Sequence, residues 1–327
     1  MTVKNTHGLL EDPDEGTVKD THGLPFTPVS LSVPAPSRRL RSQLPGNQRP
    51  VVVVVDTGVV DDHAWFQDSD ADGPMLENAY DYGWAGPEST VYAPYHGTFV
   101  AGLVRQAAPD AKILSVTLAR TDDGHIKSGQ IREALEYLRD NTYFADVVCL
   151  AMGFPIDSTD SYAHNYDRAY ARQVAAAIQR LGQRGTLVVA SAGNTGEGGA
   201  AAYPAAEATD GPPLIAVGAL ESDGRIADFS TRGDWVRRYY YGVDCLSATP
   251  TQHYRWPGLN QEALAEELTG YGYGSGTSCA VATYAGRIAQ ALLAEPDWGT
   301  SVDAAAKNAR LVHVLDKLKA LDPQPHQ

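Results

Sequence analysis

Ser278 lies in the run Gly274-Ser275-Gly276-Thr277-Ser278-Cys279-Ala280, just past a glycine-rich turn and at the start of a helix predicted by the spacing of Ala285, Ile288, Ala289 and Leu292. Glycines permit a sharp bend and close approach of a substrate, while a helix start presents N–H groups and positive potential to a developing oxyanion. A hydroxyl is a poor nucleophile at neutral pH and needs a base within hydrogen-bond reach. His96, in His96-Gly97-Thr98, is the candidate, because a largely neutral imidazole can take the serine proton and return it to a leaving amine. Asp56, in Asp56-Thr57-Gly58, would accept the other imidazole N–H, fix its tautomer and stabilise the imidazolium. Asn194, in Ser191-Ala192-Gly193-Asn194, offers an amide N–H to a tetrahedral oxyanion, with the Ser278 backbone N–H as second donor. Singly, each has an ordinary reading as a helix cap, a turn residue or a helix-start histidine. Turn chemistry does not require all four in one chain.

The elements that must position these groups are legible as well. Val51 to Val55 is an unbroken β-branched run that reads as a strand buried on both faces and delivering Asp56 at its carboxyl end. Leu187 to Ala190 is another such run and leads into Ser191-Ala192-Gly193-Asn194, while Val147 to Leu150 and Ile113 to Leu118 complete the predicted parallel strands. His96 opens a helix with Val100, Leu103 and Val104 as its buried stripe; Ile131, Ala134, Leu135 and Leu138 mark a second helix, and Val174, Ala177, Ile178 and Leu181 a third. This alternation predicts an α/β fold with a parallel sheet, in which sites form at the carboxyl ends of the strands. Near the end, Leu311, Val314, Leu315 and Leu318 predict a C-terminal helix covering the edge of the core. Stretches 194–213 and 247–270 read as long surface loops.

The motifs Asp-Thr-Gly at 56–58, His-Gly-Thr-Phe-Val-Ala-Gly at 96–102, Ser-Ala-Gly-Asn at 191–194 and Gly-Thr-Ser-Cys-Ala at 276–280, in this order, resemble those of the subtilisin-like serine proteases, the subtilases. Gly233 to Val236 through Gly242 to Asp244 looks like the family's surface segment upstream of the nucleophile. The resemblance covers roughly residues 50–293 and implies a three-layer αβα fold with a mostly parallel central sheet. It further implies an Asp56–His96–Ser278 triad with Asn194 as oxyanion partner, and Ala151-Met152-Gly153-Phe154, with Gly193, along the substrate groove. Ala151 and Met152 replace the family's Ser-Leu, which main-chain pairing with an extended peptide tolerates. Phe154 stands where the family carries a second glycine, so that its ring either roofs the pocket or packs inward.

Other departures concern the scaffold. Ala107-Ala108-Pro109-Asp110 runs directly into the next strand, where many secreted relatives insert a calcium loop. Asp68, Asp70 and Asp72 in the pattern D-x-D-x-D-G offer calcium-type oxygen ligands, yet Ala79 occupies the position where an EF-hand needs glutamate, so a solvated acidic turn is the competing reading. No cofactor is required by the expected chemistry. Cys279 replaces the family's usual methionine and puts a thiol beside the serine, where oxidation would bear on activity. His63, just after the first motif, reads as a polar loop residue with a packing or substrate-side role as the alternative.

A formal charge of −14 argues against nucleic acid as partner and provides no polybasic membrane anchor. Three cysteines, Cys149, Cys245 and Cys279, are too few for a disulfide framework and favour a reducing, cytoplasmic compartment; no secretory leader or bilayer-length apolar run is expected at the N-terminus. Residues 1–48 read as a disordered extension before a peptidase domain at 49–327, too short for a family-sized pro-domain. Within it Thr2-Val3-Lys4-Asn5-Thr6-His7-Gly8-Leu9 recurs as Thr17-Val18-Lys19-Asp20-Thr21-His22-Gly23-Leu24. The repeat is a duplication without function, a docking motif for a partner, or a substrate-like segment cut during activation. The expectation is thus an intracellular serine endopeptidase acting on protein or peptide substrates by limited cleavage. Competing readings are a non-enzymatic or latent binding module recruited through the repeat, and an aspartic protease, which would need a second Asp-Thr-Gly that this chain lacks.

Overall fold

The computed structural model describes residues 2–3, 9–11, 18–20, 27–29, 33–37, 49–67, 69–70, 73–82, 95–118, 126–127, 129–140, 145–156, 161–251, 270–295 and 303–326. Seven strands form the central sheet: β1 (Val51–Asp56), β2 (Leu76–Tyr82), β3 (Lys112–Leu118), β4 (Val147–Leu150), β5 (Leu187–Ser191), β6 (Leu214–Leu220) and β7 (Val236–Tyr241). Their spatial order is β7-β6-β5-β4-β1-β3-β2, and every neighbouring pair is parallel. Among the described residues five α-helices accompany them: α1 (Tyr95–Ala107), α2 (Gly129–Asp140), α3 (Ser161–Gly182), α4 (Thr277–Leu292) and α5 (Ala304–Leu321).

The valine run of β1 shows why the molecule has three layers. Side chains alternate across a strand, so Val52 and Val54 join one core with Phe99, Val100, Ile288, Leu292 and Leu315, whereas Val53 and Val55 join the other with Ile131, Leu135, Val174 and Ile178. Helices α1, α4 and α5 therefore cover one face, and α2 and α3 the other. The central α/β sheet and its flanking helices agree with the sequence expectation. The edge strands β2 and β7 extend it, and β7 places much of the presumed surface segment after Gly233 within the sheet.

A hairpin of β8 (Cys245–Ala248) and β9 (Tyr271–Gly274) leads from the sheet to α4. Thr27–Pro28 adds an antiparallel strand to β9, the Val29 N–H donates to the Tyr271 carbonyl at 3.0 Å, and the Trp65 indole donates to Val33 O at 3.0 Å. Packing against the domain therefore begins well before residue 49. Most of the duplicated tail lies outside the described residues; within it Thr2–Val3 pairs with Ile126–Lys127, and Leu9–Glu11 with Val18–Asp20, both antiparallel. Of the acidic turn, Asp68 and Asp72 lie outside the described residues, and Asp70 pairs with Gly73 in a two-stranded hairpin.

The predicted loop at 194–213 carries structure of its own: Ala202–Tyr203 pairs with Phe154–Pro155, and a turn of 3-10 helix follows at Ala205–Glu207. In the stretch 247–270, the end of β8 is ordered as strand, while 252–269 lie outside the described residues.

Candidate active site

Asp56 ends β1 at the carboxyl edge of the sheet, and His96 stands at the start of α1. The His96 Nδ1 lies 2.8 and 2.9 Å from the two Asp56 carboxylate oxygens, with both side chains 1% exposed. An ionised carboxylate only accepts, so Nδ1 carries the proton in this pair. The Thr57 N–H also donates to Asp56 Oδ1 at 2.6 Å, holding the carboxylate in place. The turn after β1 is stitched to α1 by the Gly97 N–H donating to Thr57 Oγ1 at 3.1 Å and the Val60 N–H donating to Thr98 Oγ1 at 3.0 Å. Gly97 is required here: a Cβ at that position would stand 2.1 Å from the Gly58 carbonyl oxygen.

Ser278 stands near the start of α4 as His96 does of α1, and the two helices pack closely on one face of the sheet. Gly286, eight residues past Ser278, allows this approach: a Cβ there would meet Val104 O at 2.9 Å, and Val104 lies eight residues past His96. Gly276 precedes α4 with φ 153°, a conformation that favours glycine, and caps the helix with no side chain. The Ser278 hydroxyl is buried and has no hydrogen-bond partner among the described residues. Catalytic hydrogen bonds commonly close only when substrate is bound.

Asn194 follows β5 through Gly193, whose φ of 105° turns the chain back over the sheet edge. Its Oδ1 accepts from the Thr277 N–H at 2.9 Å and from the Thr277 hydroxyl at 2.8 Å, and the Gly193 N–H donates to Thr277 Oγ1 at 3.2 Å. With its carbonyl end committed, the amide end of Asn194 is oriented as a donor. Thr277, which sequence reasoning quoted without a role, is the residue that holds the Asn194 carbonyl end. Its hydroxyl joins the Ser191–Asn194 turn to the nucleophile turn across 83 residues of chain.

Of the residues expected along a substrate groove, Ala151, Met152, Gly153 and Phe154 follow β4 in sequence. Ala151, Met152 and Phe154 are fully buried, with Ala151 in one core and Met152 in the other. The Phe154 ring packs inward, with centroids 5.1 Å from Tyr170 and 6.2 Å from Tyr203, which decides between its two readings. A Cβ on Gly153 would meet the Tyr203 carbonyl oxygen at 2.9 Å and the Ala202 Cβ at 3.2 Å, and one on Gly193 the same Ala202 Cβ at 3.2 Å. Ala202 thus packs against both glycines.

His63 is no polar loop residue. It is buried among Trp65, Phe66 and Tyr271, its Nε2 donates to the Gly270 carbonyl at 2.7 Å, and its Nδ1 accepts from the Trp65 N–H at 3.1 Å. Burial lowers its pKa below the ordinary 6.5, against the opposing pull of the Gly270 bond and of Asp62. His63 thereby pins the chain at the entrance to β9, seven residues before Thr277. Beneath the site, burial and then the Asp56 charge push the Cys149 thiol far up, so that it remains protonated.

Among known proteins, a family model described as the Subtilase family matches residues 47–318. The thermophilic serine proteinase of Bacillus sp. (strain AK1) is 29% identical over 226 residues, a stretch covering 64% of this chain and 48% of that protein, so the chain spans about half the length of this relative. A solved lanthipeptide protease is similar in fold with a TM-score of 0.62 at 18% identity, covering 82% of this chain and 87% of that one. The prenylagaramide maturation protease PagA is similar with a TM-score of 0.52 at 20% identity, covering 81% and 94%. The match over most of its length, on a parallel sheet that brings Asp56 to His96 and Asn194 to the nucleophile turn, places this chain in the subtilase family of subtilisin-like serine proteases.

Proposed function

We propose that this chain is an intracellular serine endopeptidase that cleaves a protein or peptide precursor at few positions, with Asp56, His96 and Ser278 as triad and Asn194 in the oxyanion hole. One observation carries the reading: Asp56 and His96 are bonded at 2.8 Å, while Asn194 accepts from the N–H of Thr277, the residue before Ser278. In this reading the Ser278 hydroxyl attacks the scissile carbonyl as His96 Nε2 takes its proton. The Nδ1–H bond to Asp56 stabilises the resulting imidazolium. The tetrahedral oxyanion accepts from the Asn194 amide and the Ser278 N–H, at the positive end of α4. His96 then returns the proton to the leaving amine, and water releases the acyl-enzyme by the same route.

Substrate binding is assigned to the backbone of Ala151–Phe154 and Gly193, since the buried side chains leave main-chain groups to pair with an extended peptide. Limited cleavage is supported by the names of two fold neighbours, a lanthipeptide protease and a maturation protease. It is also supported by the tail: Thr2–Val3 lies antiparallel on Ile126–Lys127 and beside Phe154–Pro155, the arrangement of a peptide strand added at this edge. The three cysteines, all free thiols, support a reducing compartment. Incubation of the purified full chain beside Ser278→Ala, followed by N-terminal sequencing, tests the reading. The parent is expected to acquire a new N-terminus within the first 48 residues and the variant to keep its own; identical N-termini in both would remove self-processing from the account.

A further inference from the structure

Two of the three cysteines stand together at the nucleophile turn. Cys245 opens β8 directly opposite Gly274, the last residue of β9, and Cys279 lies in the first turn of α4, next to Ser278. Main-chain bonds clasp the two segments around them: the Gly276 N–H donates to the Gly242 carbonyl at 2.8 Å, and the Asp244 N–H donates to the Ser275 hydroxyl at 2.9 Å. Cys245 packs against the core cluster that contains Cys279, and the neighbouring Cys245 thiol, then burial, push the Cys279 thiol well above its ordinary pKa. The two thiols differ in access. Cys279 is 1% exposed, whereas Cys245 is partly exposed at the edge of the hairpin.

We propose that Cys245 and Cys279 form an oxidation site in which a hydroperoxide converts the pair to a disulfide and thereby displaces Ser278 from His96. The partly exposed Cys245 sulfur, as thiolate, attacks the peroxide: an S–O bond forms, the O–O bond breaks, and water or an alcohol leaves. The Cys279 sulfur then attacks the sulfenic sulfur, an S–S bond forms, the S–O bond breaks, and the departing hydroxide leaves as water with the Cys279 proton. Two thiols have lost two electrons and two protons, and the peroxide has been reduced. An S–S bond of about 2.05 Å is far shorter than any non-bonded approach of two thiols, so its formation pulls the first turn of α4 towards the hairpin. A misplacement of about 1 Å at a catalytic group is worth about 100-fold in rate. Reduction by a dithiol reverses the change.

The test treats the full chain with hydrogen peroxide and reads three quantities: peptide mapping without reductant, hydrolysis of a peptide substrate, and recovery after dithiothreitol. The parent is expected to yield a peptide joining Cys245 to Cys279, to lose about 100-fold in activity, and to regain it on reduction. Cys245→Ser, which alters no group of the proposed machinery, is expected to keep its activity under the same peroxide. A pairing with Cys149 instead, no cross-link at all, a cross-link without loss of activity, or equal inactivation of Cys245→Ser would each overturn the proposal. The cross-link is read on the protein itself, so its absence is distinct from a failure of the proposed peptidase activity.

Discussion

At Asn194 the side-chain carbonyl accepts from both the N–H and the hydroxyl of Thr277, and this fixes which end of the amide can serve an oxyanion. Removing the amide, as in Asn194→Ala, is expected to lower kcat by about 10²- to 10³-fold with KM close to the parent's, the range for one oxyanion-hole donor. Thr277→Val keeps the shape and the N–H but loses the hydroxyl, and is expected to cost roughly tenfold in kcat, the worth of about one net hydrogen bond. Restoration by Thr277→Ser would mark the effect as orientation; unchanged kcat in the valine variant would show that Asn194 needs no such support. The meeting of Asp56 with His96, and of Asn194 with the turn before Ser278, was legible in the sequence because each residue stands in a glycine-bearing turn beside an apolar run. Thr277 was not, because a hydroxyl at a helix start reads locally as a cap, and its partner lies 83 residues away.

Elements position the site through a few fixed points, of which His63 is the least expected. Its two ring nitrogens are committed, one donating to Gly270 and one accepting from Trp65, and a second proton would turn that acceptor into a donor facing an N–H. With the folded-state pKa lowered below 6.5, the folded protein binds fewer protons at this site than the unfolded chain. The stability it contributes is complete above that value and is lost as pH falls beneath it. The Tm of the parent should therefore drop more steeply between about pH 7 and pH 5 than that of His63→Gln. Parallel pH profiles for the two proteins would contradict this. Among the strands, β1, β4 and β5 were legible as apolar runs. The edge strand β7, Val-Arg-Arg-Tyr-Tyr-Tyr, was not, because an edge strand half open to water lacks the apolar continuity that marks a buried one. The inward packing of Phe154 depended on Tyr170 and Tyr203, which local sequence does not announce.

Over the whole molecule, α5 braces the helix that carries Ser278. Leu311, Val314, Leu315 and Leu318 are buried against the α1–α4 layer, and Asp322 accepts from the Tyr284 hydroxyl at 2.6 Å and from Arg287 at 2.9 Å. Leu315→Ala is expected to destabilise the fold by about 2–4 kcal/mol, the cost of deleting a buried leucine side chain. Because the leucine touches no catalytic group, kcat per active site should hold; denaturant titration and active-site titration separate the two. The periodicity of α5 made this layer readable. The docking of Thr27–Val29 beside β9, and of Val33 on Trp65, was not readable, since it rests on main-chain groups within a proline- and serine-rich stretch. The central claim, that the assembled molecule turns Ser278 into a nucleophile, is tested most directly by a serine-reactive fluorophosphonate with the site of attachment mapped by mass spectrometry. The account predicts one adduct, on Ser278, formed by the folded parent and lost in Ser278→Ala, in His96→Ala and after denaturation; no adduct on the folded parent, or one on another serine, would contradict it.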